Sequence, residues 1–134
     1  ITDRFVGSPT PRSASEVIAL ISQCRAIVSG SYHAAVFALS QGIPAVCIEG
    51  SEYYRMKFAG LIDHFGPGCR MISLSAADFD VSLQAALYET WATADLLRPQ
   101  LLDAAERQVE AGRLAYDRLA EIISTKATRP VLVA

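Results

Sequence analysis

One stretch, Ala26–Glu52 (AIVSGSYHAAVFALSQGIPAVCIEGSE), narrows the fold of this chain more than any other. A short apolar run, Ala26-Ile27-Val28, meets the turn Ser29-Gly30-Ser31, and an apolar stretch of helical length follows with His33 in its first turn. Gly42 ends that helix and Pro44 forbids its continuation. A second apolar run, Ala45-Val46-Cys47-Ile48, then closes in the polar turn Glu49-Gly50-Ser51. Strand, helix and strand in this order form one parallel unit. In such a unit both polar turns fall at the carboxyl edge of the sheet, where open α/β sheets bind ligands.

The flanking sequence extends the pattern. Arg4-Phe5-Val6 reads as a short first strand, and Gly7–Pro11, with one glycine and two prolines, reads as a loop. Ser13 and Glu16 stand at capping-box spacing, and Val17, Leu20, Ile21 and Cys24 recur on one helical face. The helix over 31–41 is apolar nearly all round, which implies cover on more than one side. Ser51 is placed to cap a third helix with Tyr54, Phe58, Leu61, Ile62 and Phe65 on its buried stripe, ended by Gly66-Pro67-Gly68. Arg70–Leu74 reads as a fourth strand. Ser75 is expected to cap the next helix, which begins at Ala76 or Asp78 and runs into the early nineties.

From Leu96 to about Ser124, apolar and small residues at 102, 105, 109, 112, 116, 119 and 123 repeat at spacings of three and four. One long amphipathic helix, or two broken near Gly112, fits this pattern. Such a helix either lies along the domain surface or pairs in a dimer, and the Ala and Gly in its seam favour the surface. Val131–Val133 can add an edge strand. The expected fold is α/β: a Rossmann-like parallel sheet of about four strands with helices on both faces and a long C-terminal helix, in a single domain spanning residues 1–134.

Composition removes several functions. Hydrophobic residues make up 51% and charged ones 19%, which suits a packed core and excludes a disordered chain. The net charge of −2 and the lack of any basic cluster leave no footprint for nucleic acid. No apolar run approaches the roughly 20 residues that span a bilayer. Cys24, Cys47 and Cys69 are odd in number and far apart, so reduced thiols and a cytoplasmic location are expected. No metal-ligand spacing and no phosphate-loop motif is present. The lack of an initiating Met is read as the mark of a piece of a longer protein.

The two turns carry the chemistry. A helix N-terminus presents unpaired N–H groups and partial positive charge, so Gly30–His33 is suited to phosphate or carboxylate. Gly30 lets a ligand approach the backbone and Ser31 donates from its hydroxyl. Tyr32 reads first as packing, with its phenol placed to line the rim, and His33 is either a proton donor near neutral pH or a structural histidine. Gly50, Ser51, Glu52 and Lys57 form the second rim, where the default is a capping Ser51 with Glu49, Glu52, Tyr53 and Lys57 solvated. Arg12 lies on the same side of the sheet. His64 has no convergent partners and reads as surface.

Ser29–Gly60 resembles the signature stretch of the polysaccharide pyruvyl transferase family. Gly30, His33-Ala34-Ala35, Ala38-Leu39, Gly42-Ile43-Pro44, Val46, Lys57 and Gly60 match the family pattern, while Ser31 stands where the family carries Arg. The resemblance implies the C-terminal half of a GT-B-like, two-domain enzyme. On that reading the donor substrate is phosphoenolpyruvate, there is no further cofactor, and His33 contacts the donor or protonates its methylene carbon. The acceptor is a cell-surface glycan or its precursor, held in part by a missing N-terminal domain. The charge of the family Arg then falls to Arg12, Arg55, Lys57 or that missing domain. Two alternatives keep the fold: a nucleotide-sugar glycosyltransferase with Glu49 or Glu52 on the ribose, and a non-catalytic module. A dimer through the long C-terminal helix is a further possibility for partners.

Overall fold

A computed structural model describes residues 13–126. Three parallel strands, β1 (Ile27–Ser29), β2 (Ala45–Glu49) and β3 (Cys69–Ser73), lie side by side in the order β1-β2-β3. Ile27 pairs with Ala45, and Ala45 in turn pairs with Cys69. The helices are α1 (Ala14–Ile21), α2 (Tyr32–Leu39), α3 (Glu52–Phe65) and α4 (Phe79–Lys126). The expected strand at Arg4–Val6, the loop after it, Arg12 and the Val131–Val133 edge lie outside the described residues. The sheet of the described residues therefore has three strands rather than about four.

Local signals explain where the elements begin and end. Ser13, Ser31 and Ser51 each cap a helix, their hydroxyl oxygens accepting from the amides of Glu16, Ala34 and Tyr54. α2 closes at Gly42, whose φ of +76° lets the Ile43 amide donate back to the Ala38 carbonyl. A single 3₁₀ turn, Gly66–Gly68, follows α3 and begins at a glycine with φ of +57°.

One face of the sheet is covered by α2 and α3, with Ala35, Leu39, Ala45, Cys47, Phe58, Phe65 and Cys69 in one buried cluster. α1 closes the outer side of α2 through Ile21, packed with Ala38 and Ile43. That explains why α2 is apolar nearly all round. On the other face Phe79, Leu83 and Ala86 of α4 cover Val46 and Ile72. α4 then passes the opposite edge, where Gly68 and Gly42 lie against Leu101 and Leu102. There Leu101 and Ala104 join the α2–α3 cluster.

Three expectations are corrected. Ser75 does not cap α4: its hydroxyl pairs with that of Ser73 at 3.0 Å, and the helix begins at Phe79. Asp78 takes the entry instead, receiving hydrogen bonds from the Ser82 amide at its carbonyl and from the Ser82 hydroxyl at its carboxylate. The two C-terminal helices are one, 48 residues long, with Pro99 inside it and no break at Gly112. The buried stripe of α3 is narrower than expected, because Tyr54 is exposed. Cys47 and Cys69, far apart in sequence, come within 3.8 Å at sulfur on adjacent strands and remain free thiols. The Cys69 thiol beside it and burial push the Cys47 thiol up.

Among the described residues no helix is long and apolar enough to cross a membrane, and no cluster of His, Cys, Asp and Glu is arranged to hold a metal ion.

Candidate functional site at the carboxyl edge of the sheet

The first turn is set by two serines. Ser29 ends β1 and its hydroxyl accepts the Ser31 amide at 3.0 Å, fixing the chain's entry into α2. Ser31 accepts the Ala34 amide at 3.4 Å with its hydroxyl and the Ala35 amide at 3.2 Å with its carbonyl. A capping hydroxyl accepts with a lone pair and keeps its proton, so Ser31 can still donate outward. The Tyr32 and His33 amides have no acceptor among the described residues, as expected at the first turn of a helix.

Gly30, Ser31 and His33 are exposed, and Tyr32 is half-buried. The His33 ring stands edge-on to Tyr32, with centroids 5.7 Å apart. Imidazole, hydroxyl and free amides thus share one solvent-facing turn. A Cβ on Gly30 would lie 3.5 Å from the Ile48 carbonyl oxygen, an ordinary contact, so packing of the chain does not require glycine there.

The second turn differs from its expectation. Ser51 caps α3, and Gly50 and Glu52 are exposed, but Glu49 is only 3% exposed. Its carboxylate lies 3.4 Å from Arg55, whose other nitrogen lies 3.3 Å from Glu52. Arg55 is thereby bracketed by two carboxylates, and Glu49 is a buried partner rather than a solvated side chain. The signal is present in the sequence: Glu49 directly ends a fully apolar strand, and Arg55 stands six residues on, at the first turn of the following helix.

Lys57 joins the two turns. Its ammonium lies 4.8 Å from the centre of the Tyr32 ring and 4.7 Å from that of Tyr53, a cation–π arrangement on two sides. The Tyr53 phenol beside it pushes its pKa up, so the charge is held throughout the neutral range. Tyr53 and Lys57 are four residues apart on α3, a spacing legible in sequence; the Tyr32 side of the clamp is a tertiary contact and is not. Among the described residues Lys57 makes no ion pair. The structure therefore brings Gly30, Ser31, Tyr32, His33 and Lys57 into one connected set, with Ser51 and Glu52 on the neighbouring helix end.

His64 lies away from this edge. It is exposed and its Nδ1 pairs with the Gln108 amide nitrogen at 3.1 Å, beside an apolar groove of about 620 Å³ formed by α2, α3 and α4. No sequence pattern announces this groove, because its walls come from three separate segments.

A family model described as polysaccharide pyruvyl transferase matches residues 2–52 of the chain. The match spans α1, β1, α2 and β2 with both turns, and it ends before Lys57. It agrees with the resemblance drawn on Ser29–Gly60 over the part the two share. Comparison with curated proteins and with solved structures returned no match.

Proposed function

We propose that this chain is the donor-binding domain of a polysaccharide pyruvyl transferase-like enzyme, taking phosphoenolpyruvate as donor and a cell-surface glycan or its precursor as acceptor. The observation that carries the reading is the coincidence of the family match with a solvent-facing turn at the carboxyl edge of the sheet, where two free amides, the Ser31 hydroxyl and His33 converge. The cation that the family supplies with an arginine at position 31 comes here from Lys57, since Arg55 already faces Glu49 and Glu52.

The turn's amides and Lys57 hold the donor's anionic groups. His33, protonated, delivers its proton to the methylene carbon of the enol, and C2 becomes electron-poor. One acceptor hydroxyl forms a bond to C2 and returns its proton to the imidazole. Phosphate then leaves C2 with the C–O bonding pair, and a second acceptor hydroxyl bonds to C2 and passes its proton to the departing phosphate, completing the ketal. The acceptor wall belongs to an upstream domain, so the isolated chain binds donor without turning it over.

For a nucleotide-sugar donor the ribose contact would fall to Glu52, because both carboxylates pair with Arg55 but Glu49 is buried while Glu52 is exposed. Titration of the labelled chain with phosphoenolpyruvate, followed by amide shifts, separates the readings. Shifts at Gly30–His33 and around Lys57 are expected at millimolar ligand. Shifts confined to other regions, or tighter binding of UDP or GDP than of phosphoenolpyruvate, would overturn the proposal.

A further inference from the structure

Beyond Ala105, α4 leaves the body of the protein. Every described side chain from Glu106 to Thr125 is exposed except the position of Gly112, so more than five turns stand exposed, with Gln108 reaching back to His64. This stretch is not polar all round. Leu102, Ala105, Val109, Gly112, Tyr116 and Leu119 repeat at spacings of three and four along one stripe, with Val109 73% and Tyr116 76% exposed. The buried face of the same helix runs through Ala94, Leu101 and Ala104, so the stripe begins one residue round from the core face and continues after the core has ended.

We infer that this stripe is the self-association surface of the protein, and that two copies pair through it with their α4 helices antiparallel. The order of residue sizes carries the assignment. In a parallel pair like meets like, and Ala105 on Ala105 and Gly112 on Gly112 would leave two of the six layers without side chains to fill them. In an antiparallel pair about a two-fold axis crossing between Glu110 and Ala111, each small residue meets a large one. Leu102 lies level with Leu119 of the second copy, Val109 with Gly112, and Tyr116 with Ala105.

Charge follows the same axis. Glu106 and Arg113 flank the seam on one side, and the two-fold brings Glu106 of each copy beside Arg113 of the other, so one pairing occurs twice. Arg113 is held in position by Glu110 through two hydrogen bonds of 3.1 and 2.8 Å. The groove between α2, α3 and α4 is continuous with the stripe, since Leu102, Ala105 and Val109 form one of its walls and Tyr32, Val36 and Leu61 belong to the others. The second copy's helix end, carrying Tyr116, enters that groove opposite Ala105. Gly112 has no neighbour within 4 Å of an added Cβ inside the protomer, so nothing in its own fold calls for a glycine there.

Sedimentation equilibrium of the chain at ~100 μM tests the surface. The expected mass is twice the 14.4 kDa of one chain, and Val109→Glu is expected to return it to one chain with an unchanged far-UV spectrum. A single-chain mass for the wild type, or a dimer unmoved by Val109→Glu, overturns the proposal; the first is what an upstream domain as the natural cover of the stripe would produce. Orientation is read in a Cys24→Ser background by mild oxidation. Leu102→Cys combined with Leu119→Cys is expected to give covalent dimers, and each substitution alone is not. Self-crosslinking of either single variant would mean parallel helices and overturn the assignment.

Discussion

Lys57 is where two helix ends that never touch in sequence meet through one charge, and its surroundings decide what substitutions there should do. The ammonium rests between the rings of Tyr32 and Tyr53, so Lys57→Met keeps the packing stem and removes only the charge. Phosphoenolpyruvate affinity, measured by calorimetry, is expected to fall roughly 10- to 100-fold, the usual loss for one charge-assisted contact. Because the folded pKa is raised, the positive charge is present below that pKa and is lost only as pH rises through it. The Lys57 contribution should therefore be flat between about pH 6 and 9. Gly30 gives the complementary test. Its Cβ position meets Ile48 only at ordinary contact distance, so Gly30→Ala should melt within about 2 °C of wild type. If donor lies against that backbone, the same variant should bind it at least several-fold more weakly. Much of this site is legible in the sequence, because Ser29-Gly30-Ser31 and Ser51 act through hydrogen bonds to residues two or three positions away. Glu49 departs from its sequence expectation for the opposite reason: a carboxylate at a strand end looks solvated until its burial beneath Arg55 is seen. Removing only the guanidinium, in Arg55→Met, should destabilise the domain more than Glu49→Gln does, since it leaves a buried carboxylate without its partner. Urea denaturation of the two variants makes the comparison.

At the scale of elements, the contact between the 3₁₀ turn that leads into β3 and α4 sets how closely the long helix can approach the sheet. A Cβ on Gly68 would stand 2.3 Å from Leu101 Cδ2 and 2.9 Å from its Cγ, and Leu101 is fully buried, so one or both must shift. Gly68→Ala is expected to cost about 1–3 kcal/mol in urea denaturation. Leu101→Ala, which opens a cavity, is expected to cost about 2–5 kcal/mol. The double variant should lose less than the two together, because each change relieves the defect of the other. This contact shows why strand and helix identities can be read from the chain while their packing cannot. Runs such as Ala45–Ile48 announce a buried strand through composition, and capping serines announce helix starts through spacing. That Gly68 exists to admit Leu101, 33 positions away, follows from no local pattern. The same holds for Cys47 and Cys69, whose neighbourhood depends on the β2–β3 register. Ser75 fails as a cap because a competing hydroxyl, that of Ser73, lies within reach. The continuity of α4 is hidden by Pro99 and by a change in polarity near residue 96, although the buried positions Thr90, Ala94, Leu101 and Ala104 keep one helical face across both.

Taken as a whole, the molecule divides α4 into a part that builds the core and a part that only extends from it. Leu101 and Ala104 belong to the cluster that holds Phe58 and Phe65, with Leu97 packed against it, whereas the side chains from Val109 to Thr125 are exposed. Helical stability in a stretch of this kind comes from propensity and pairs such as Arg113–Glu110, which are worth little individually. Ending the chain after Gln108 keeps the His64 contact and every α4 residue of the core. A thermal melt at low protein concentration, where self-association makes no contribution, should then stay cooperative and fall by less than about 3 °C. Ending it after Leu96 removes Leu97, Leu101 and Ala104 together and exposes the faces of Phe58 and Phe65 that they cover. The loss is of the same order as the entire stability of a small domain, about 5–15 kcal/mol, so no cooperative transition should be seen. If the shorter chain instead melted like the longer one, the lower half of α4 would not be the second wall of the core, and the approach of Gly68 to Leu101 would have no energetic weight.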